Sequence, residues 1–399
     1  MSNSLQSISK NAIDSLKNFT VKYNEQWKYT NLNHYDKFNL SLVDNYNKVD
    51  NNYSNNHEVT IINSIVQNDI NKANITSWPL DKAYNDNINS CSKIFNTIIP
   101  QDKNYFTLYN TAYFKNGNYF HFDENTSLKS PLYINNTLHQ SDPKSFLHNR
   151  FLFHFGKSFS GTIVIKEIYP SNQISNTVYE LYLDENANVE FIIESEKPET
   201  IQIMNFGATI NDNANLKINS IDISGHLLKN NYFINLNGKN SQCSYNGLSL
   251  LNNNNHIDNY IEMNHNNKNT ISHAYHKNIL TDKSKGIFYP KSIINKNSSN
   301  SEAYQKNNNL LLSKRAIIHS NPQLMIFNDD VKCSHGSTTG QIDDDALFYL
   351  RSRGINLKNA HKMLLNAFLN ECIDTINDVI VKDYIKIKVN SWIQEHVNK

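Results

Sequence analysis

Only four cysteines (Cys91, Cys243, Cys333 and Cys372) occur in 399 residues, and no two of them form a C-x-x-C pair. Neither a disulfide framework nor a structural zinc knuckle is suggested, and reduced thiols in a cytoplasmic location are expected. No segment approaches the ~18 consecutive apolar residues of a membrane span. The opening Met-Ser-Asn-Ser-Leu-Gln-Ser-Ile-Ser-Lys has no apolar run of the kind a secretory signal needs. The chain is expected to be soluble, unprocessed and without a membrane partner. An excess of one charge is missing too, since 38 basic residues face 37 acidic ones, so a nucleic-acid partner is not indicated. No G-x-x-x-x-G-K-[ST] occurs, which argues against nucleotide hydrolysis by this chain. Glycine is scarce at 11 residues and arginine is limited to four positions, so clusters of either stand out. Residues 329–354 hold Gly336, Gly340, Gly354, Arg351 and Arg353, with Arg315 just upstream. The abundant Asn, Lys, Ile and Tyr fit an A+T-rich coding sequence and carry no functional signal.

The chain is long enough to bury a substantial core. Residues 1 to about 100 read as helices and loops, with Leu5, Ile8, Ile13 and Leu16 forming one amphipathic helix. The run Glu25-Gln26-Trp27-Lys28-Tyr29-Thr30 reads as an aromatic turn docked on the body, with Trp27 as a packing anchor. Short β-type runs then follow at Phe106 to Tyr109, Ala112 to Phe114 and, after Asn116-Gly117, Tyr119 to Phe122. Alternation places Tyr179, Leu181 and Leu183, and likewise Val189, Phe191 and Ile193, toward a core.

Leu183-Asp-Glu-Asn-Ala-Asn-Val recurs as Ile210-Asn-Asp-Asn-Ala-Asn-Leu, with weaker echoes at Leu236 and Met263. A regular period of short strands and polar turns predicts stacked coils, because one coil cannot bury its own apolar face. A parallel β-helix is the expected architecture, with a β-sandwich as the competing one. Asp343 reads as a helix N-cap followed by Asp344 and Asp345 in the first turn, and Gly354 as the glycine closing that helix. A further helix packs by Ala360, Met363, Leu364, Ala367, Phe368 and Cys372. The domains expected are 1–103 (helical), 104–340 (β-helix core) and 341–399 (helical).

Cys333 and His335 lie two residues apart, so on a strand they share a face, and thiolate and imidazole both suit iron. A cluster needs about four protein ligands, so one held here would be shared with another subunit. Two other readings stay open. Cys333 and His335 are a packed pair without chemistry, or Cys333 is a nucleophile with His335 as base and Asp330 as orienter. The three aspartates at 343–345 are better explained by capping than as glycan-cleaving carboxylates. His273 and His276 have helical ligand spacing in a β-like context.

Three segments carry a resemblance: Asp329-Asp-Val-Lys-Cys-Ser-His-Gly-Ser-Thr-Thr-Gly-Gln-Ile-Asp, then Leu347-Phe-Tyr-Leu-Arg-Ser-Arg-Gly-Ile, and Ala360 through Glu371. They resemble the SufB/SufD family of the SUF iron–sulfur cluster assembly machinery, and its SufD branch in particular. Gly336 stands where the SufB branch has the glutamate of its His-Glu-Ala-Thr motif. Glu25 to Thr30, Asn309 to Ser313 and Ser320 to Leu324 also match. Ser337 departs from the usual Ala, and Pro290 stands where a Gly is common, which puts the local turn in doubt. The resemblance implies a right-handed parallel β-helix between helical terminal domains, and a non-enzymatic scaffold that pairs with a SufB-like subunit and binds a SufC-like ATPase. It implies a transient cluster at the shared interface, iron acquisition there, and ATP on the partner only; whether a flavin joins is not decided by the sequence. His335 is the implied ligand, with Cys333 beside it. Asp330, Lys332, Gly336, Asp343, Leu347, Phe348, Tyr349, Arg351, Arg353, Gly354, Ala360 and Phe368 are the implied partner-interface residues. A homodimer of the isolated chain and a polysaccharide-acting or adhesive β-helix stay as alternatives.

Overall fold

The computed structural model describes residues 5–18, 27–30, 41–42, 58–67, 74–99, 101, 104–137, 145–169, 174–196, 200–223 and 225–396. From Leu132 the chain visits two sheets alternately. Ser145–Phe155, Ile174–Leu183, Ile201–Ile210, Leu227–Leu236, His256–His265 and Lys285–Ile294 stack in the first sheet. Leu132–Thr137, Ser160–Ile168, Asn188–Glu196, Asn215–Ile223, Gln242–Leu251, Ile271–Leu280, Ser301–Leu311 and Val331–Gly340 stack in the second. Each strand pairs in parallel with the strand one coil away, as in Leu183 opposite Ile210 and Asn188 opposite Asn215. The body is thus a parallel β-helix.

The asparagines of the repeat are what let the coil turn. Asn186, Asn213 and Asn240 have φ of 60, 56 and 60°, a left-handed conformation that Asn adopts at lower cost than most residues. Their side chains also stack along the axis, with Asn240 Nδ2 donating to Asn213 Oδ1 at 2.8 Å and Asn269 Nδ2 to Asn240 Oδ1 at 3.0 Å. The echo at Met263 is displaced by two residues, because Leu236 pairs with His265. The corner at 237–241 is one residue longer than that at 211–214, and Gln242–Leu251 is one residue longer than Asn215–Ile223, so the coil outgrows the early period. Tyr179, Leu181, Leu183, Val189, Phe191 and Ile193 all line the interior, as alternation requires.

Helices cover the outer faces of both sheets. Leu5–Asn18 forms the amphipathic helix expected, burying Leu5 and Ala12. Trp27 is buried against Phe106 with ring centroids 5.1 Å apart, and Lys285 Nζ donates to the Tyr29 carbonyl at 2.7 Å, so residues 27–30 are clamped to the first sheet. Glu25 and Gln26 lie outside the described residues. The β-type reading of 106–114 is overturned, since Tyr105–Tyr113 is a helix. Asn104 caps it by accepting from the Thr107 N–H at 3.0 Å, and Tyr105, Tyr109 and Tyr113 repeat every four residues, a helical spacing hidden in an aromatic-rich run. Asn116-Gly117 accordingly joins a helix to the strand Gly117–Phe122. Before residue 104, Glu58–Ile62 and Ile75–Pro79 are strands that extend the two sheets, where helices and loops were expected.

The C-terminal helices Leu357–Ile373 and Val379–His396 lie on the outer face of the second sheet. The buried stripe of the first is Ala360, Leu365, Leu369, Cys372 and Ile373. Met363 and Ala367, expected to be packed, are exposed, and Phe368 is only half buried. The helix is rotated because Phe368 rides over the Lys277 ammonium, 4.5 Å from its ring, while Cys372 Sγ reaches the Gly247 carbonyl at 3.4 Å. Pro290 is not in a turn. It lies inside Lys285–Ile294, opposite the two-residue gap between Ile317–Ser320 and Gln323–Ile326, where its missing N–H is tolerated.

Candidate functional site

The stack ends in an open coil. Val331–Gly340 pairs along one edge with Ser301–Leu311 and ends the order of the second sheet. Cys333 sits opposite Ala303, continuing the inward row Cys243, Ser272, Ala303. His335 sits opposite Gln305, continuing the inward row Tyr245, Ala274, Gln305. Both side chains therefore leave the strand on the same face, over the open end of the core, with Cα atoms about 6.6 Å apart on an extended strand. Gln305 is fixed beneath them, its Nε2 donating to Ser292 Oγ at 2.9 Å and to the Gln323 carbonyl at 3.0 Å.

His335 is exposed and Cys333 half buried, and burial raises the thiol pKa above its ordinary value. Asp330 has no hydrogen bond to His335 among the described residues. Its N–H takes Asn328 Oδ1 at 2.9 Å and its carbonyl accepts from Asn300 N at 2.7 Å, which makes it a turn residue and leaves the nucleophile reading without its orienter. Lys332 reaches Glu302 at 2.9 Å, and this contact lowers the pKa of that carboxyl. A Cβ built on Gly336 or Gly340 meets no atom within 4 Å, so nothing in this chain requires glycine at either position. Among the described residues no group of three or more His, Cys, Asp or Glu is placed to hold a metal. Two ligands are what this end offers.

The helix Asp344–Ser352 follows as read. Asp343 Oδ1 accepts from the N–H groups of Asp345 and Ala346 at 2.9 and 3.2 Å, and Gly354 has φ +85°. None of its residues is buried: Leu347 is half buried, Phe348 and Tyr349 are 73% and 54% exposed, and Arg353 lies over the Tyr349 ring at 4.5 Å. Arg351 is exposed and Ala360 fully buried. His273 and His276 are separated by the strand, His273 stacking outside on Tyr304 at 5.1 Å and His276 buried against Ser249 Oγ at 2.9 Å. An open groove of about 930 Å3 runs between the second sheet and the helix Leu357–Ile373, with Tyr275, Lys306 and Glu371 on its walls and His335 at its rim.

One surface was missed in the sequence. Ile317, Met325, Ile326 and Phe327 are 48, 39, 44 and 52% exposed on the last partial coil, beside the open strand. The unbroken apolar run Leu324-Met325-Ile326-Phe327, at a point where half-buried strands alternate, was the available signal.

Residues 137–368 match the family described as SUF system FeS cluster assembly, SufBD core domain. The chain belongs to this family. The SufBD match contains most of the solenoid and its open end, and reaches into the first C-terminal helix. Among curated relatives, the iron-sulfur cluster assembly protein SufD of Escherichia coli (strain K12) is 33% identical over 205 residues, covering 51% of this chain and 48% of that protein. A SufBD family protein of Synechocystis is 28% identical over 265 residues, covering 63% of this chain and 58% of its own length. A chloroplastic protein of Arabidopsis thaliana is 32% identical over 123 residues, covering 31% of this chain and 26% of that protein. The chain thus spans less than two thirds of the length of these relatives. Among the described residues no helix is long and apolar enough to cross a membrane.

Proposed function

We propose that this SufBD-family chain is a non-catalytic scaffold subunit of a multi-subunit iron–sulfur cluster assembly complex. Its open solenoid end meets a SufB-like β-helix, and its C-terminal helices carry a SufC-like ATPase. The observation that carries this reading is the terminal strand. Among the described residues its outer edge ends the sheet, a side chain added at Gly336 or Gly340 would meet no atom of this chain, and Cys333 and His335 stand side by side on its inward face. An unpaired strand edge is a template for a strand of another chain, and the exposed Ile317, Met325, Ile326 and Phe327 widen it into an apolar contact.

The cluster is cargo in this reading. A cluster takes about four protein ligands, so this chain supplies one or two and the partner the rest. His335 is preferred because its ring is already free of the core, whereas Cys333 must lose a proton that burial holds on it. ATP on the ATPase alone, iron acquisition at the shared interface and a cytoplasmic place belong to the same proposal. The exposed Phe348 and Tyr349 form the ATPase-facing surface, joined to the open strand through the capped turn at Asp343.

Co-purification with SufB-like and SufC-like proteins, followed by iron and sulfide analysis, tests the reading. His335→Ala is expected to lower cluster yield with the complex intact. A normal rate of cluster formation in that variant overturns the ligand role. If a Cys333→Ser/His335→Ala complex also assembles clusters normally, the chain is a pairing scaffold only.

A further inference from the structure

Far from the open end, the outer face of the first sheet brings two histidines into register. His121 on Gly117–Phe122 lies opposite His154 on Ser145–Phe155, with ring centroids 4.8 Å apart at 64°. Each ring turns its Nε2 to a carboxylate: His154 to Asp184 Oδ2 at 2.8 Å, and His121 to Asp123 Oδ1 at 3.4 Å. The Asp184 acceptor holds the ring proton of neutral His154 on Nε2, which leaves its Nδ1 as a lone pair, and the Asp123 carboxylate stands behind His121 on the same side of its ring. The two Nδ1 atoms face each other at 3.2 Å, and Tyr119 Oη lies 3.0 Å from that of His154. The Tyr119 hydroxyl is also within reach of the Asn89 carbonyl at 3.1 Å, to which it can donate. The Tyr119 oxygen and the His121 Nδ1 thus both lie within 3.2 Å of the His154 Nδ1, a convergence of electron-pair donors that suits a cation.

We propose that His121 and His154 hold a divalent transition-metal ion through their Nδ1 atoms, with Tyr119 Oη as the third donor. Two nitrogens each at about 2.0–2.1 Å from a tetrahedral metal are roughly 3.3 Å apart, close to the present separation. Imidazole donors suit zinc, iron, nickel and copper. The carboxylates stand behind the rings, where they orient and polarise ligating histidines, so they are not counted among converging ligands. The side chains of His121 and His154 keep 14% and 11% of their surface exposed, which leaves a way in for the ion.

The test uses the metal-free, tag-free full chain carrying Cys333→Ser and His335→Ala, so that the open end contributes nothing and the outcome is independent of the proposed function. Calorimetric titration with Zn2+ is expected to show one ion bound per chain, and Co2+ at the same site is expected to give visible ligand-field bands. His121→Asn, on the more accessible of the two rings, should abolish both signals with an unchanged circular dichroism spectrum. Asp184→Asn should weaken binding about 10–100-fold while leaving the stoichiometry intact. Absence of Zn2+ binding, or undiminished affinity in folded His121→Asn, overturns the proposal. If His121→Asn does not fold, the Asp184→Asn affinity decides it, an unchanged value being the overturning result.

Discussion

Buried polar side chains, rather than the apolar ones, set the specific demands at single positions. His276 is wholly buried, and its fit requires Gly247, where a Cβ would lie 2.0 Å from the ring Nδ1. Burial lowers the pKa of His276 to about 3, and does the same to His148. The unfolded chain takes up these protons as pH falls below about 6.5, whereas the folded chain does so only near 3, so stability is full above 6.5 and falls on acidification. The loss is expected to reach about 1.4 kcal/mol per pH unit for each such histidine between these limits. In urea unfolding at pH 7.5 and 4.5, His276→Gln should lose some stability at the higher pH and show a flatter dependence. Arg150 and Glu180 form a buried ion pair at 2.5 Å, and the guanidinium also donates to Asn96 Oδ1 at 3.1 Å and Thr111 Oγ1 at 3.2 Å. Arg150→Met strands the carboxylate and is expected to cost about 3–5 kcal/mol in the same measurement.

Among the elements, the helix Asp344–Ser352 depends on its own ends more than any other. None of its residues is buried, so its stability comes from the Asp343 cap, the acidic first turn and Gly354. Asp343→Ala is expected to cost about 1 kcal/mol locally, read as faster hydrogen exchange confined to 344–352. Phe348 is 73% exposed, so Phe348→Ser should leave the melting temperature unchanged while reducing retention of a SufC-like ATPase. A parallel loss of thermal stability would show that Phe348 serves the fold of this chain. The following helix is held more firmly, since Lys277 reaches Glu371 at 2.7 Å and, in the turn just past its end, Thr375 Oγ1 donates to Asn219 Oδ1 at 3.0 Å.

At the scale of the whole molecule, stacked coils separate stability from assembly. Interior coils bury both neighbours, and Ile218→Ala should cost about 2–5 kcal/mol through the cavity it leaves. The last coil has a neighbour on one side only, so its exposed Ile326 contributes little to the folded chain. Ile326→Lys is therefore expected to leave the unfolding midpoint within error while weakening end-to-end association, with a SufB-like partner or with a second copy, in sedimentation measurements. Unchanged association would exclude this end as the pairing surface.

The sequence by itself determined the solenoid, because a repeated corner of left-handed asparagines and alternating strands has few other ways to bury its apolar rows. It also determined the capped helix after residue 343 and the shared face of Cys333 and His335, since both follow from local geometry: capping at fixed offsets and a strand period of two. Tertiary structure decided what local periodicity could not. The aromatic run 105–113 became a helix only with the Asn104 cap and a sheet to cover. The rotation of Leu357–Ile373 was set by Lys277 under Phe368 and by Gly247 under Cys372, positions 91 and 125 residues earlier in the chain. The meeting of His121 and His154 depends on register between strands 33 residues apart in sequence, because which side chains share a row is decided by how coils stack.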